Sequence, residues 1–109
     1  MGDSMRADVA RRLKSRGWKT GDAADFLGLT PEESALVELR LALSRSVRAR
    51  RLKLGVSQVE LASRLGSSQS RVAKLEAADA TVSIDLLIRS LLALGASRRD
   101  IGRALTDRL

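Results

Sequence analysis

The chain has 109 residues, with 20 Lys and Arg against 13 Asp and Glu, a formal charge of +7 and a pI near 11.2. It contains no Cys, His or Tyr, which excludes disulfides, Cys- or His-ligated metals, a thiol nucleophile and the commonest general acid and base. A single domain this basic, 44% apolar and with one proline, is suited to nucleic acid or an acidic surface and is not a disordered tail.

Leu, Ala and Arg dominate, which favours helix, and no alternating strand pattern is present. The spacing predicts a first helix over about 4–16, with Met5, Val9 and Leu13 on one face and Gly17 as its stop. A link through Trp18 leads to a short helix from about Asp22 to Leu27, ended by Gly28. Trp18 and Phe26, the two aromatics, are expected to staple this N-terminal part to the core. Thr30-Pro31-Glu32-Glu33 is a helix start, with Thr30 and Glu33 forming a capping box and Pro31 in the first turn. A long helix then runs to about Leu54, its face made of Leu36, Leu39, Leu43, Val47 and Leu54, and Gly55 ends it.

Ser57 and Glu60 form a second capping box. The short helix they open turns Leu61, Ala62 and Leu65 inward and stops at Gly66. Another helix begins almost at once, from about Gln69 to Ala77, with Val72 and Leu75 inward. Ser83 starts a helix carrying Ile84, Leu87, Leu91 and Leu94, closed by Gly95. Leu86, Ile88 and Leu92 give it a second apolar face. Ser97-Arg98-Arg99-Asp100 opens the last helix, with Ile101, Leu105 and Leu109 four apart.

Two short helices joined by a tight glycine turn are the helix-turn-helix pattern, and residues 57–77 fit it. Ala62 must be small where the helices cross, and Gly66 supplies the left-handed turn. The stretch Val56-Ser57-Gln58-Val59-Glu60-Leu61-Ala62-Ser63-Arg64-Leu65-Gly66-Ser67-Ser68-Gln69-Ser70-Arg71-Val72-Ala73-Lys74-Leu75-Glu76 closely resembles the Xre/Cro family of lambdoid-repressor-like DNA-binding domains. The likeness continues through Val82-Ser83-Ile84-Asp85 and Leu87 to Leu94-Gly95. It departs at Ala78, where the family usually has Gly. The resemblance implies an all-α, five-helix lambda-repressor-like helix-turn-helix domain over 33–109, behind an N-terminal helical extension over 1–32. Phe26-Leu27-Gly28-Leu29-Thr30-Pro31-Glu32-Glu33 and the long helix after it look like a HigA-like subfamily, whose members often sit as antitoxins beside HigB or RelE-like mRNA-cleaving toxins.

The charge map agrees without the family. From Arg40 to Lys74 stand nine basic residues (Arg40, Arg45, Arg48, Arg50, Arg51, Lys53, Arg64, Arg71 and Lys74) and one acid, Glu60. That local net of +8 exceeds the charge of the whole chain. A solvated helix face would mix in acids, so phosphate contact is the expected use. Arg48, Arg51 and Arg64 are the candidate phosphate contacts, together with Gln58, which matches a phosphate-binding family position at a helix N-terminus. Ser68, Gln69, Ser70, Arg71 and Lys74 stand where such a helix enters the major groove. Gln pairs with adenine, Arg with guanine, and Ser with base or phosphate. The resemblance makes Gln69, Ser70 and Lys74 base-reading, with Ser68 or Arg71 touching base or backbone. Glu76 is expected to pair with a basic side chain or a backbone N–H.

The reading that follows is a homodimeric, sequence-specific repressor on a palindromic double-stranded operator, acting as antitoxin and autorepressor with a HigB/RelE-like toxin. A stand-alone phage- or plasmid-derived regulator is the alternative. A small basic ribonuclease is disfavoured by the missing His and Tyr. A nonspecific nucleoid protein would not need the Gln-Ser-Arg helix start. Leu92, Ile101, Leu105 and Leu109 are the expected dimer surface. No metal, cofactor or enzymatic activity is expected. No run of 18 apolar residues and no apolar leader core is present, so no membrane contact is expected and the default compartment is the cytoplasm.

Overall fold

Residues 28–106 are described by the structure, a computed structural model. They form five α-helices and, among themselves, no strand: α1 (Pro31–Leu54), α2 (Gln58–Leu65), α3 (Gln69–Glu76), α4 (Ile84–Ala93) and α5 (Arg98–Thr106). This is the all-α, five-helix architecture that the sequence predicts. The expected helices over 4–16 and 22–27, and Met5, Val9, Leu13, Trp18, Phe26 and Leu109, lie outside the described residues.

The helix starts follow the predicted chemistry. The Thr30 and Ser57 hydroxyls accept from the Glu33 and Glu60 N–H groups, while each glutamate accepts from the N–H of its cap. Ser68 and Ser83 cap α3 and α4 by accepting from Arg71 and Leu86 N–H. Ser97 and Asp100 exchange the same reciprocal pair of bonds at the start of α5. Each cap answers N–H groups that a helix end leaves without a partner.

Leu43, Val47, Leu61, Val72, Leu75, Leu87 and Leu91 form the centre of the core, with Val82, Leu94 and Ile101 around them. α1 lies across α3, α4 and α5, and α2 packs on α3 and α4. The predicted apolar face of α1 is buried only in its middle. Leu36, Leu39 and Leu54 are exposed. Length explains this. A helix of 24 residues is roughly 36 Å long, whereas the 10 residues of α4 span roughly 15 Å. The helices packed on α1 cannot cover all of it.

α4 keeps its predicted inner face, but its expected second face is mostly covered, because Leu86 joins the core and Ile88 packs against it. Leu86, Leu87 and Leu91 are buried, while Leu92 is 50% exposed. α5 requires a correction. Ile101, expected at a subunit surface, is 8% exposed and belongs to the monomer core. It is the single buried residue of α5, so it is what docks that helix on α1. The neighbouring Arg50–Asp100 ion pair (3.2 Å) is partly exposed, and such pairs add little stability. Bonds from Ser97, helped by Arg103 and Arg50, hold the Asp100 carboxyl down to about 2.

One buried polar atom has no partner among the described residues: the Ser44 hydroxyl, in the buried middle of α1. A buried hydroxyl without a hydrogen bond is costly, and Ala is the better helix former. Ser44→Ala is therefore expected to stabilise the domain by about 1 kcal/mol and raise Tm by roughly 4–8 °C. Thermal unfolding followed by circular dichroism reads this directly. A lower Tm would mean that the hydroxyl has a partner in solution.

Candidate nucleic-acid interface

α2 and α3 are joined through Gly66, left-handed at φ 63, whose N–H returns to Ser63 while that of Ser67 returns to Ala62. Ala62 is buried in the core they share. The turn brings the first residues of the two helices together. Gln69 Nε2 donates to Gln58 Oε1 at 2.7 Å, and Gln58 Nε2 donates to Glu76 Oε1 at 3.2 Å. Glu76, at the end of α3, takes both forks of the Arg51 guanidinium, Nε at 2.5 Å and Nη2 at 2.9 Å. The remaining nitrogen, Arg51 Nη1, donates to Val56 O at 2.9 Å, inside the α1–α2 turn. One polar chain thus ties the outermost glutamine to the inside of the domain.

Arg51 is the second correction. It was expected on phosphate, but it is 8% exposed and each of its three nitrogens already donates, to Glu76 or Val56. The bond to Glu76 pushes its pKa further up. The expected pairing of Glu76 with a basic side chain is what the structure shows. The identity of its partner was legible in one signal. Leu43, Val47 and Arg51 recur every four residues, so Arg51 lies on the core stripe of α1.

The other candidates distribute as follows. Ser68 caps α3 and its hydroxyl lies 3.2 Å from that of Ser70. Gln69, Ser70, Arg71 and Lys74 are exposed, while Val72 and Leu75 are fully buried on the opposite side of the helix. Ser70 and Lys74 are one turn apart on a common face. Arg48 is exposed on α1, as are Arg45 and Lys53. Arg64 is exposed, but its Nη1 reaches Ala93 O at 3.5 Å, at the C-terminal end of α4. No hydrogen bond joins it to the Gln58–Gln69 row. Of the nine basic residues in the window, Arg40 and Arg64 bond to backbone carbonyls, and Arg50 and Arg51 to carboxylates. The exposed remainder, Arg45, Arg48, Lys53, Arg71 and Lys74, is the part available to an anionic ligand.

The arrangement supplies amides, hydroxyls and cations on one short helix, held from behind by apolar packing and a satisfied ion pair. That combination suits hydrogen bonding to base edges and phosphates. Among the described residues there is no group of Asp and Glu that could hold a metal ion, and no helix is long and apolar enough to cross a membrane. No curated protein and no solved structure matches the chain. The helix-turn-helix family model matches residues 47–101, which is half of the chain and spans the last turns of α1 through the start of α5. With the capped α2, the glycine turn and the polar start of α3 all inside that segment, the chain belongs to the helix-turn-helix family of Xre and lambda-repressor type, a family of DNA-binding transcription regulators.

Proposed function

We propose that the protein is a sequence-specific repressor that binds a palindromic operator as a homodimer, and that it serves as antitoxin and autorepressor beside a HigB/RelE-like toxin. The observation that carries the DNA reading is the Gln69–Gln58–Glu76–Arg51 chain. It fixes a glutamine amide at the start of an exposed helix, where base reading needs a side chain already oriented. In this reading Gln69, Ser70 and Lys74 read bases. Ser68 and Arg71 touch base or backbone, and Arg48 and Gln58 hold phosphates. The antitoxin role is supported by the resemblance of residues 26–33 and the long helix after them.

A single helix-turn-helix reads too few base pairs for specificity in a genome, and twofold pairing places two such helices about 34 Å apart along the duplex. Leu92 and Leu105, 50% and 36% exposed, supply apolar surface for that pairing. Leu105→Glu is expected to give a folded monomer with much weaker binding to DNA from upstream of its own coding region. Light scattering and a gel shift on that duplex test this. A variant that stays dimeric and binds normally would place the subunit contact elsewhere. The toxin pairing is tested by co-expression with the product of the adjacent gene. A growth-arresting product that this protein fails to neutralise would count against the antitoxin role.

A further inference from the structure

Four of the five described helices end in the same turn. One or two residues past the helix stands a left-handed residue whose N–H returns to the carbonyl three residues back, while the next N–H returns five residues back. At the ends of α1, α2 and α4 that residue is Gly55, Gly66 or Gly95, with φ between 63 and 85. At the end of α3 it is Ala78, φ 57. Ala78 N–H donates to Leu75 O and Asp79 N–H to Lys74 O, so the turn is complete despite the side chain. A Cβ makes this backbone region unfavourable for any residue but glycine. Something other than local preference must hold the turn.

Ala78 is itself buried, and the loop after it is tied down by several bonds. Asp79 Oδ1 accepts from both the N–H and the hydroxyl of Thr81. Val82 N–H returns to Asp79 O, and Val82 O accepts from Arg40 Nη1. Arg40 is half-buried on α1, ahead of residue 47 where the family match begins. It shares the stripe of Leu43, Val47 and Arg51, so its head is aimed across the core side of α1. The part of α1 outside the family segment therefore reaches the loop that follows the Ala78 turn and is joined to it by the Val82–Asp79 bond.

We propose that Arg40 is a positioning residue for DNA recognition, acting through the Ala78 turn to fix α3 and making no contact with DNA itself. The proposal rests on the DNA-binding reading. Its signature is a coupling. If Arg40 supplies from outside what glycine would supply locally, then glycine at position 78 makes Arg40 dispensable.

The experiment is a four-variant cycle on the full chain: wild type, Arg40→Met, Ala78→Gly and the double variant. Affinity is measured across salt on a duplex spanning the DNA upstream of its own coding region. Arg40→Met is expected to weaken binding about tenfold. The slope of log affinity on log salt should stay unchanged, because no phosphate contact is lost. Arg40→Lys, which keeps a donor, should recover most of the loss. Ala78→Gly should bind like wild type, and adding Arg40→Met to it should cost less than about twofold. Equal losses in both backgrounds, an unchanged affinity, or a shallower salt slope would each overturn the proposal. Arg40→Met unfolded alone but folded with Ala78→Gly supports it, whereas unfolding in both backgrounds makes Arg40 a core residue and overturns it. A wild type that binds no DNA would fail the DNA reading instead. Amide-exchange protection at Val82 across the same four proteins then tests the Arg40–Ala78 coupling by itself.

Discussion

Glu76→Ala is expected to cost about 3 kcal/mol of folding stability, the scale for removing one partner of a buried ion pair. The side chains of Arg51 and Glu76 are 10% and 5% exposed, so the substitution leaves a guanidinium inside the domain with only the Val56 carbonyl for company. For a domain of this size the loss corresponds to a fall in Tm of roughly 12–24 °C. Arg51→Met should be costly for the mirror-image reason. Replacing both, Arg51→Met with Glu76→Leu, should restore most of the stability, because apolar packing substitutes well for a buried pair. DNA binding should not be restored with it. Gln58 loses the carboxylate that holds its amide, and Gln69 in turn loses an anchored partner. Thermal unfolding and a gel shift on the same four proteins separate the two effects. A double variant that regains full DNA affinity would show that the polar chain supports the fold and nothing more.

The same residues show where the sequence was informative and where it was not. Caps, glycine stops and the inward positions of α2 to α4 are local properties, written in residues three or four apart, and the structure follows them. The ends of α1 are not local. Leu36, Leu39 and Leu54 continue an apolar face, but nothing in their own spacing tells how far the shorter helices opposite them extend. Basic residues divided on burial. A count of charge in the 40–74 window treats Arg40, Arg48 and Arg51 alike, yet two of the three lie on the stripe of Leu43 and Val47. Read as positions on a helix, Arg40 and Arg51 required internal partners, and Arg48 did not. Ile101 failed for a related reason. Its spacing with Leu105 announces an apolar stripe, but a stripe has to cover the core before any of it is left for a second subunit.

Binding is expected to fall steeply with salt. Arg45, Arg48, Lys53, Arg71 and Lys74 are the exposed cations of the window on each protomer. A dimer that brings six to ten of them to phosphates loses roughly 10³–10⁵ in affinity between 50 and 200 mM salt. The slope also sorts the arginines. Arg48→Ala removes about one phosphate contact per protomer, so the slope of a bound dimer should become shallower by about two. The weaker binding left to the Arg51→Met, Glu76→Leu variant should keep the wild-type slope, because the charge of Arg51 is already taken by Glu76. Fluorescence anisotropy across a salt series checks both. A slope near zero in the wild type would remove phosphate contact from the account altogether.

Discrimination by Gln69 tests the central claim most directly. The structure places its amide at the first turn of α3, held by Gln58 and exposed. Gln69→Ala is expected to cost about 1–3 kcal/mol on the operator and to relax the choice of base at one position in each half-site. Affinity for random duplex of the same length should be unchanged, and the salt slope should be unchanged with it. Parallel titrations of wild type and variant on both duplexes give the ratio that matters. A ratio that falls in the variant is the result predicted. Equal losses on operator and random DNA, or no loss on either, would contradict base reading by the helix that starts at Gln69.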